Sequence, residues 1–268
     1  MTAPAEFPPG LPTLLDAGGV QLMVAGRRAD VVLARPRTRN AQTPATWRAL
    51  AAVGRWAPGA VDVVVLRAEG SSFSSGLDRR AFTAEGLPGE PGLHQLAALA
   101  DGDLAAAIEA FQEAFTWWAD PRLVTVAAVQ GHAVGAGFQL ALACDLRVVA
   151  DDARFTMAET TLGLVPDLGG TSPLVRAVGY SRALEICLTG RPVAADEAVA
   201  LGLATHAVPV ADLTAAVDGL VEAVTRPPTG AVRATKELLL GALNAEPARQ
   251  RAAERRAQAG RLRSMLER

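Results

Sequence analysis

The stretch LVTVAAVQGHAVGAGFQLALACDLRVVA, residues 123–150, decides the fold. Residues 123–129 are dense in β-branched and small apolar side chains, the composition of a strand buried inside a sheet. A turn of small residues from Gly131 to Gly137 follows and runs directly into 138–143, a helical run. Residues 146–150 then read as another short strand. Strand, turn, helix and strand in this order favour an α/β architecture over a sandwich or a helical bundle, with helices covering the faces of a parallel sheet.

Working outward, residues 61–66 repeat the buried-strand composition and end in the turn signal Glu69-Gly70-Ser71-Ser72. Residues 20–34 contain a Gly-Arg-Arg turn between two apolar pieces, which fits a hairpin or two short sheet strands. Residues 44–53 read as a helix carrying Trp47 and Leu50. A Gly/Pro-containing loop at 86–92 leads into a helix over 96–118, whose Phe111, Phe115 and Trp118 form a packing stripe. Residues 154–157 are a further strand. From residue 180 the chain is helical in character, with helices expected over 181–188, 194–201, 210–224, 230–243 and 248–268. The expected organisation is a flexible lead-in at 1–19, a core at 20–205 and a C-terminal helical region at 206–268.

Half of the 268 residues are apolar and 20% are charged, which is the composition of a chain that folds. A formal net charge of −2 supplies no cationic field for a polyanion, so nucleic acid is not an expected partner. Residues 1–19 carry no basic segment followed by a continuous apolar run, and no uninterrupted run approaches the roughly 20 apolar residues that cross a bilayer. A soluble, cytoplasmic protein is expected. Cys144 and Cys187 lie among aliphatic residues and read as buried thiols. His94, His132 and His206 show no metal-ligand spacing, so no metal is expected.

Two turns and two acids can carry chemistry. The turn at 131–137 opens a helix, where backbone N–H groups are unpaired and favourably oriented toward negative charge. The turn Ser74-Ser75-Gly76-Leu77-Asp78 follows the other buried strand and offers a comparable main chain. Together such turns can place two N–H groups on one carbonyl oxygen. Glu159 closes a candidate strand, and Asp167 sits in an apolar loop just before Gly169 and Gly170. Desolvation of either acid would suit it to proton transfer, while the bland alternative for both is a helix cap.

In their order along the chain these segments resemble the enoyl-CoA hydratase/isomerase family, the crotonase superfamily. The similarity is carried by ARPRTRNA (34–41), EGSSFSSGLD (69–78), residues 124–150, AETTLGLVPDLGGT (158–171) and LTGRPVAADEAVALGLATHAVP (188–209). It implies a crotonase-like spiral of β-β-α units with a C-terminal helical oligomerisation region, building homotrimers or homohexamers. It also implies an acyl-CoA substrate and no cofactor beyond the coenzyme A carried as the thioester. The oxyanion-hole positions would be Leu77 and Ala136, with Ala136 suited to the role provided its φ is negative.

By the same resemblance, Ser75, Gly76, Asp78, Phe82, Leu87, Gly135, Phe138, Gln139 and Leu162 would contact the substrate, and Arg233 and Lys236 would meet the CoA phosphates. His132, beside the glycine turn, is a further candidate to line the cleft, its alternative a packed neutral imidazole. Family hydratases use two glutamates, and here the first position is Gln139 and the second Glu159. A neutral amide is no carboxylate base. An isomerase that moves a double bond with Glu159, assisted or replaced by Asp167, is therefore the preferred expectation. A hydratase and a catalytically weak acyl-CoA binder are the alternatives.

Overall fold

The computed structural model describes residues 7–266. Residues 1–6 and 267–268, parts of the expected lead-in and of the expected last helix, lie outside the described residues. The rest of the lead-in is not loose. Helix α1 (Leu11–Gly18) buries Leu11 and Leu15. Strands β1 (Val20–Ala25) and β2 (Arg28–Leu33) form the expected hairpin, antiparallel with Ala25 opposite Arg28. Helix α2 (Pro44–Ala60) begins on Thr43, whose hydroxyl accepts the Thr46 N–H, and Pro44 at its first position has no N–H to leave unpaired. A Cβ built on Gly18 would fall 2.6 Å from that of Ala49, so glycine is what lets α1 lie on α2.

Each later unit begins with a strand of this sheet and then sends a shorter segment toward a second one. Strand β3 (Val63–Ala68) is followed by Ser74, which bridges Ala133, and by α3 (Leu93–Ala97) and α4 (Asp101–Thr116). Strand β4 (Val124–Val129) is followed by β5 (His132–Val134) and α5 (Ala136–Ala143). Next come β6 (Leu146–Ala150), β7 (Arg154–Thr156), α6 (Thr171–Val178) and α7 (Tyr180–Thr189). Then follow β8 (Val193–Ala194), α8 (Ala195–Ala200) and β9 (His206–Val208). The large sheet runs β1-β2-β3-β4-β6-β9 and the small one β5-β7-β8. Beyond the hairpin, all pairs in the large sheet are parallel. This is the expected α/β arrangement of repeated β-β-α units.

The parallel strands are apolar throughout because both faces are covered. Val64, Leu66, Ala127 and Val129 face one core with Phe73, Phe115 and Trp118. Val63, Val65, Val126 and Ala128 face a second, closed by Leu213, Val217 and Val221 of α9 (Leu213–Thr225). Residues 206–225 thus complete the sheet and its second face, and the chain leaves the core only with α10 (Thr229–Ala242) and α11 (Pro247–Leu266). The helix expected over 96–118 is interrupted at 98–100, and Glu159 opens a 3-10 turn (Glu159–Leu162) rather than closing a strand. Cys144 is buried, while Cys187 is only half-buried.

Lys236 fastens α10 to the start of the sheet. Its ammonium donates to the carbonyls of Asp120 and Leu123 at 2.8 Å each and to Asp145 Oδ2 at 2.7 Å. The same carboxylate oxygen accepts the Thr125 N–H at 2.8 Å. All three ammonium protons are used, and the side chain is 11% exposed. Removing the ammonium leaves a half-buried carboxylate without its cation and the Asp120 and Leu123 carbonyls without this donor. Lys236→Ala is therefore expected to lower stability by about 3 kcal/mol. Denaturant unfolding checks this, and an unchanged midpoint would remove the cluster from the account of the fold.

Candidate active site

In the first turn, almost every backbone N–H is spoken for. Ser74 N–H donates to His132 O, Ser75 N–H to Arg39 O and Asp78 N–H to Gln42 O, at 2.8 to 2.9 Å. Gly76 N–H donates to Ser74 Oγ at 3.2 Å. Leu77 N–H alone in this turn has no hydrogen-bond partner among the described residues. The conformation requires glycine at position 76, where φ is +82° and a Cβ would lie 2.6 Å from Val134 O.

The second turn leaves a donor open beside the first. Val134 N–H donates to Ser74 O and Gly135 N–H to Thr156 O. Gly135, with φ +50° and ψ −117°, then swings the chain into α5. Ala136 N–H, at the first position of that helix, has no partner among the described residues. Arg39 and Asn40 are the only non-glycine residues with positive φ among those described, so Ala136 meets the condition set for it. The Cβ built on Gly76 would be 3.6 Å from Ala136 N, which places the two open donors side by side.

A buried acid lies against this pair. A Cβ built on Gly135 would fall 3.2 Å from Glu159 Oε1 and 3.8 Å from Oε2. Gln139, one helical turn along α5, donates Nε2–H to Glu159 Oε1 at 2.7 Å. Its own Oε1 accepts the N–H groups of Leu168 and Gly170 at 3.0 and 3.2 Å. Glu159 Oε2 is buried without a hydrogen-bond partner among the described residues. Burial raises the Glu159 pKa, and the nearby Asp167 carboxylate raises it further against the opposing Gln139 hydrogen bond. Burial raises Asp167 as well. Its loop is held by Gln112 of α4, which donates to Asp167 O at 2.5 Å.

The structure brings Gly76, Leu77, Gly135, Ala136, Gln139, Glu159 and Asp167 into one neighbourhood. Ser75 is half-buried, and its hydroxyl donates to Thr38 O. The Asp78 carboxylate is held by Arg80, whose hydrogen bond keeps its pKa low. Phe82 and Leu87 lie in the segment that follows, half-buried and buried respectively, and Leu162 is exposed beyond Glu159. His132 is exposed on β5, and Phe138 turns into the core against Phe155. Arg233 and Lys236 are not brought here. Arg233 pairs with Asp62 and Lys236 with Asp145, at the ends where β3, β4 and β6 begin, whereas both turns leave the far ends of β3 and β4. Sequence reading missed Asn40 and Gln42, which brace the first turn. Two amide side chains just ahead of a helix start were their only mark in the sequence.

The family model described as enoyl-CoA hydratase/isomerase matches residues 28–264. The chain belongs to that family. A probable enoyl-CoA hydratase of Rhodobacter capsulatus is 34% identical over 209 residues, covering 78% of this chain and 76% of the relative. With a probable enoyl-CoA hydratase of Mycobacterium bovis the identity is 39% over 116 residues, and the match spans 43% of this chain and 45% of that relative's length. A Thermobifida fusca YX protein, provisionally named an enoyl-CoA hydratase and crystallised in complex with acetoacetyl-CoA, superposes with a TM-score of 0.90. It is 47% identical, with 94% of this chain and 98% of that one covered. Among the described residues no helix is long and apolar enough to cross a membrane, and no cluster of three His, Cys, Asp or Glu side chains is suited to a metal ion.

The raised Glu159 pKa makes the site a cost to the fold. The native state holds the Glu159 proton more tightly than the unfolded chain does, so stability is lost as pH rises from the ordinary glutamate value through the raised one. Glu159→Gln removes that loss. The variant is expected to melt above the wild type at pH 7 and to converge with it below about pH 4. Melting curves across this range are the check, and a pH-independent difference would contradict a strained carboxylate.

Proposed function

We propose that the chain is an enoyl-CoA isomerase that moves a carbon–carbon double bond within an acyl-CoA thioester. The observation that carries this reading is the state of Gln139. Its amide oxygen already accepts two backbone N–H groups, and its NH2 already serves Glu159. In the two-glutamate plan of hydratases that this chain resembles, the group at this position helps activate the attacking water, and a committed neutral amide cannot accept a proton. What is left is one free carboxylate oxygen, Glu159 Oε2, next to two open backbone donors.

In the proposed reaction the thioester carbonyl oxygen of a 3-enoyl-CoA sits on Leu77 N–H and Ala136 N–H. Glu159 Oε2 takes a proton from C2. The C2–H electron pair forms the C1–C2 double bond, and negative charge moves to the carbonyl oxygen, where the two donors stabilise it by about 3 kcal/mol each. The same carboxyl group returns the proton at C4 as the double bond settles between C2 and C3. A raised pKa suits Glu159 to both transfers. Asp167 assists by its charge. Coenzyme A is the substrate's carrier, and no other cofactor enters these steps.

Hydration of a 2-enoyl-CoA is the second reading, supported by the names of the relatives and by the second raised acid, Asp167. Incubation with trans-3-enoyl-CoA and trans-2-enoyl-CoA, followed by chromatography and mass measurement, separates the two. Conversion of the 3-enoyl to the 2-enoyl species without a mass change is expected, with kcat falling about 10²- to 10⁴-fold in Glu159→Gln. A gain of one water by the 2-enoyl substrate would favour hydration, and binding without either product would favour another acyl-CoA reaction or a noncatalytic acyl-CoA binder.

A further inference from the structure

The open Leu77 N–H belongs to the same peptide unit as Gly76 C=O. Because that unit is planar and trans, whatever fixes Gly76 O also fixes the direction of Leu77 N–H. Gln42 does so: its N–H donates to Gly76 O at 2.8 Å, and its own carbonyl accepts Asp78 N–H at 2.8 Å, so residue 42 holds the chain on both sides of Leu77.

A buried relay of side chains holds the two segments in this register, and its direction is unambiguous. Trp47 Nε1, which can only donate, gives its proton to Gln42 Oε1 at 2.8 Å. The Gln42 amide must then turn its Nε2–H to Ser74 Oγ, 3.1 Å away. Ser74 Oγ donates to the carbonyl of Asn40 at 2.8 Å and accepts Gly76 N–H at 3.2 Å. Asn40 and Arg39, both at φ +52°, hold a conformation that few side chains adopt. The Asn40 amide braces it by donating to Glu69 O and Ser72 O at 2.8 and 2.9 Å. Gln42 and Ser74 are fully buried, and Asn40 and Trp47 are 2% and 5% exposed, so water cannot substitute for any of these bonds.

We propose that Trp47, Gln42 and Ser74 are positioning residues for the thioester chemistry, a one-way hydrogen-bond relay that aims the Leu77 N–H before substrate arrives. This inference rests on the reading of Leu77 N–H as a carbonyl donor. The relay touches no substrate atom. It acts by denying the Gly76–Leu77 peptide the freedom to rotate as charge develops on the oxygen, so its loss weakens the transition state more than it weakens binding.

The test combines kinetics with the infrared carbonyl stretch of bound butyryl-CoA labelled with ¹³C at the thioester carbon, a probe that reports carbonyl polarisation without turnover. The proteins are the wild type, Gln42→Leu, Glu159→Gln and Trp47→Phe, the last of which keeps a ring against Phe111 and Phe115 should Gln42→Leu fail to fold. In Gln42→Leu or Trp47→Phe, kcat is expected to fall about tenfold with KM within about twofold, a part of the loss seen when such a donor is removed altogether. The downshift of the stretch should shrink in parallel, while Glu159→Gln keeps the full downshift and loses turnover. A folded relay variant with full downshift and full kcat would overturn the relay alone. A wild type without any downshift would overturn the oxyanion-hole reading and the relay with it.

Discussion

Two peptide N–H groups, those of Leu77 and Ala136, lie side by side without a hydrogen-bond partner among the described residues, and the site is organised around them. In the first turn every other donor from Ser74 to Asp78 is paired, and in the second the N–H groups of Val134 and Gly135 are paired just before the open one of Ala136. Gly76 and Gly135 make the arrangement possible, since a side chain at the first would collide with Val134 O and one at the second would press on Glu159. The parallel strands β3 and β4 lie side by side and end together, so the turns that follow them meet. Much of the rest of the fold, from the apolar packing on both sheet faces to the Lys236 cluster at the strands' beginnings, keeps those strands in register.

The buried carboxylate places an energetic cost at the same spot. Among the described residues Glu159 has one oxygen bound by Gln139 and one without a partner, an arrangement that destabilises the ion and suits it to passing a proton back and forth. Gln139 also ties the acid to the loop bearing Asp167 through the Leu168 and Gly170 N–H groups. The acid, the amide and the loop therefore form one unit resting on α5. A glutamate in place of Gln139 would put two like charges in contact and would change the protonation of both.

The parts legible in the sequence were those with a strong local signature. Strands β3 and β4 announce themselves through uninterrupted apolar, β-branched runs, the two turns through glycine, and Glu159 and Asp167 as acids among apolar neighbours. Helix α1 was hidden because Pro and Gly crowd its surroundings and only Leu11 and Leu15 mark its buried side. Strands β5 and β9 have three residues each, too few to show alternation. Long-range partners were invisible for a different reason. Lys236 looks like any helix cation until Asp145 is placed beside it, and Gln42 looks like a loop residue until the fold delivers Ser74 and Trp47 to its two ends. The family resemblance named positions, whereas the pairing of the donors beside Leu77 and Ala136 emerged only from the fold.

The central claim is that two open backbone donors and one free carboxylate oxygen converge on a thioester. The most direct measurement is a crystal structure of the protein with a bound saturated acyl-CoA. The account predicts the thioester oxygen within about 2.7–3.1 Å of both Leu77 N and Ala136 N, with C2 facing Glu159 Oε2. A thioester bound with its carbonyl away from these two nitrogens, while the protein remains folded and the ligand fully occupied, would contradict it.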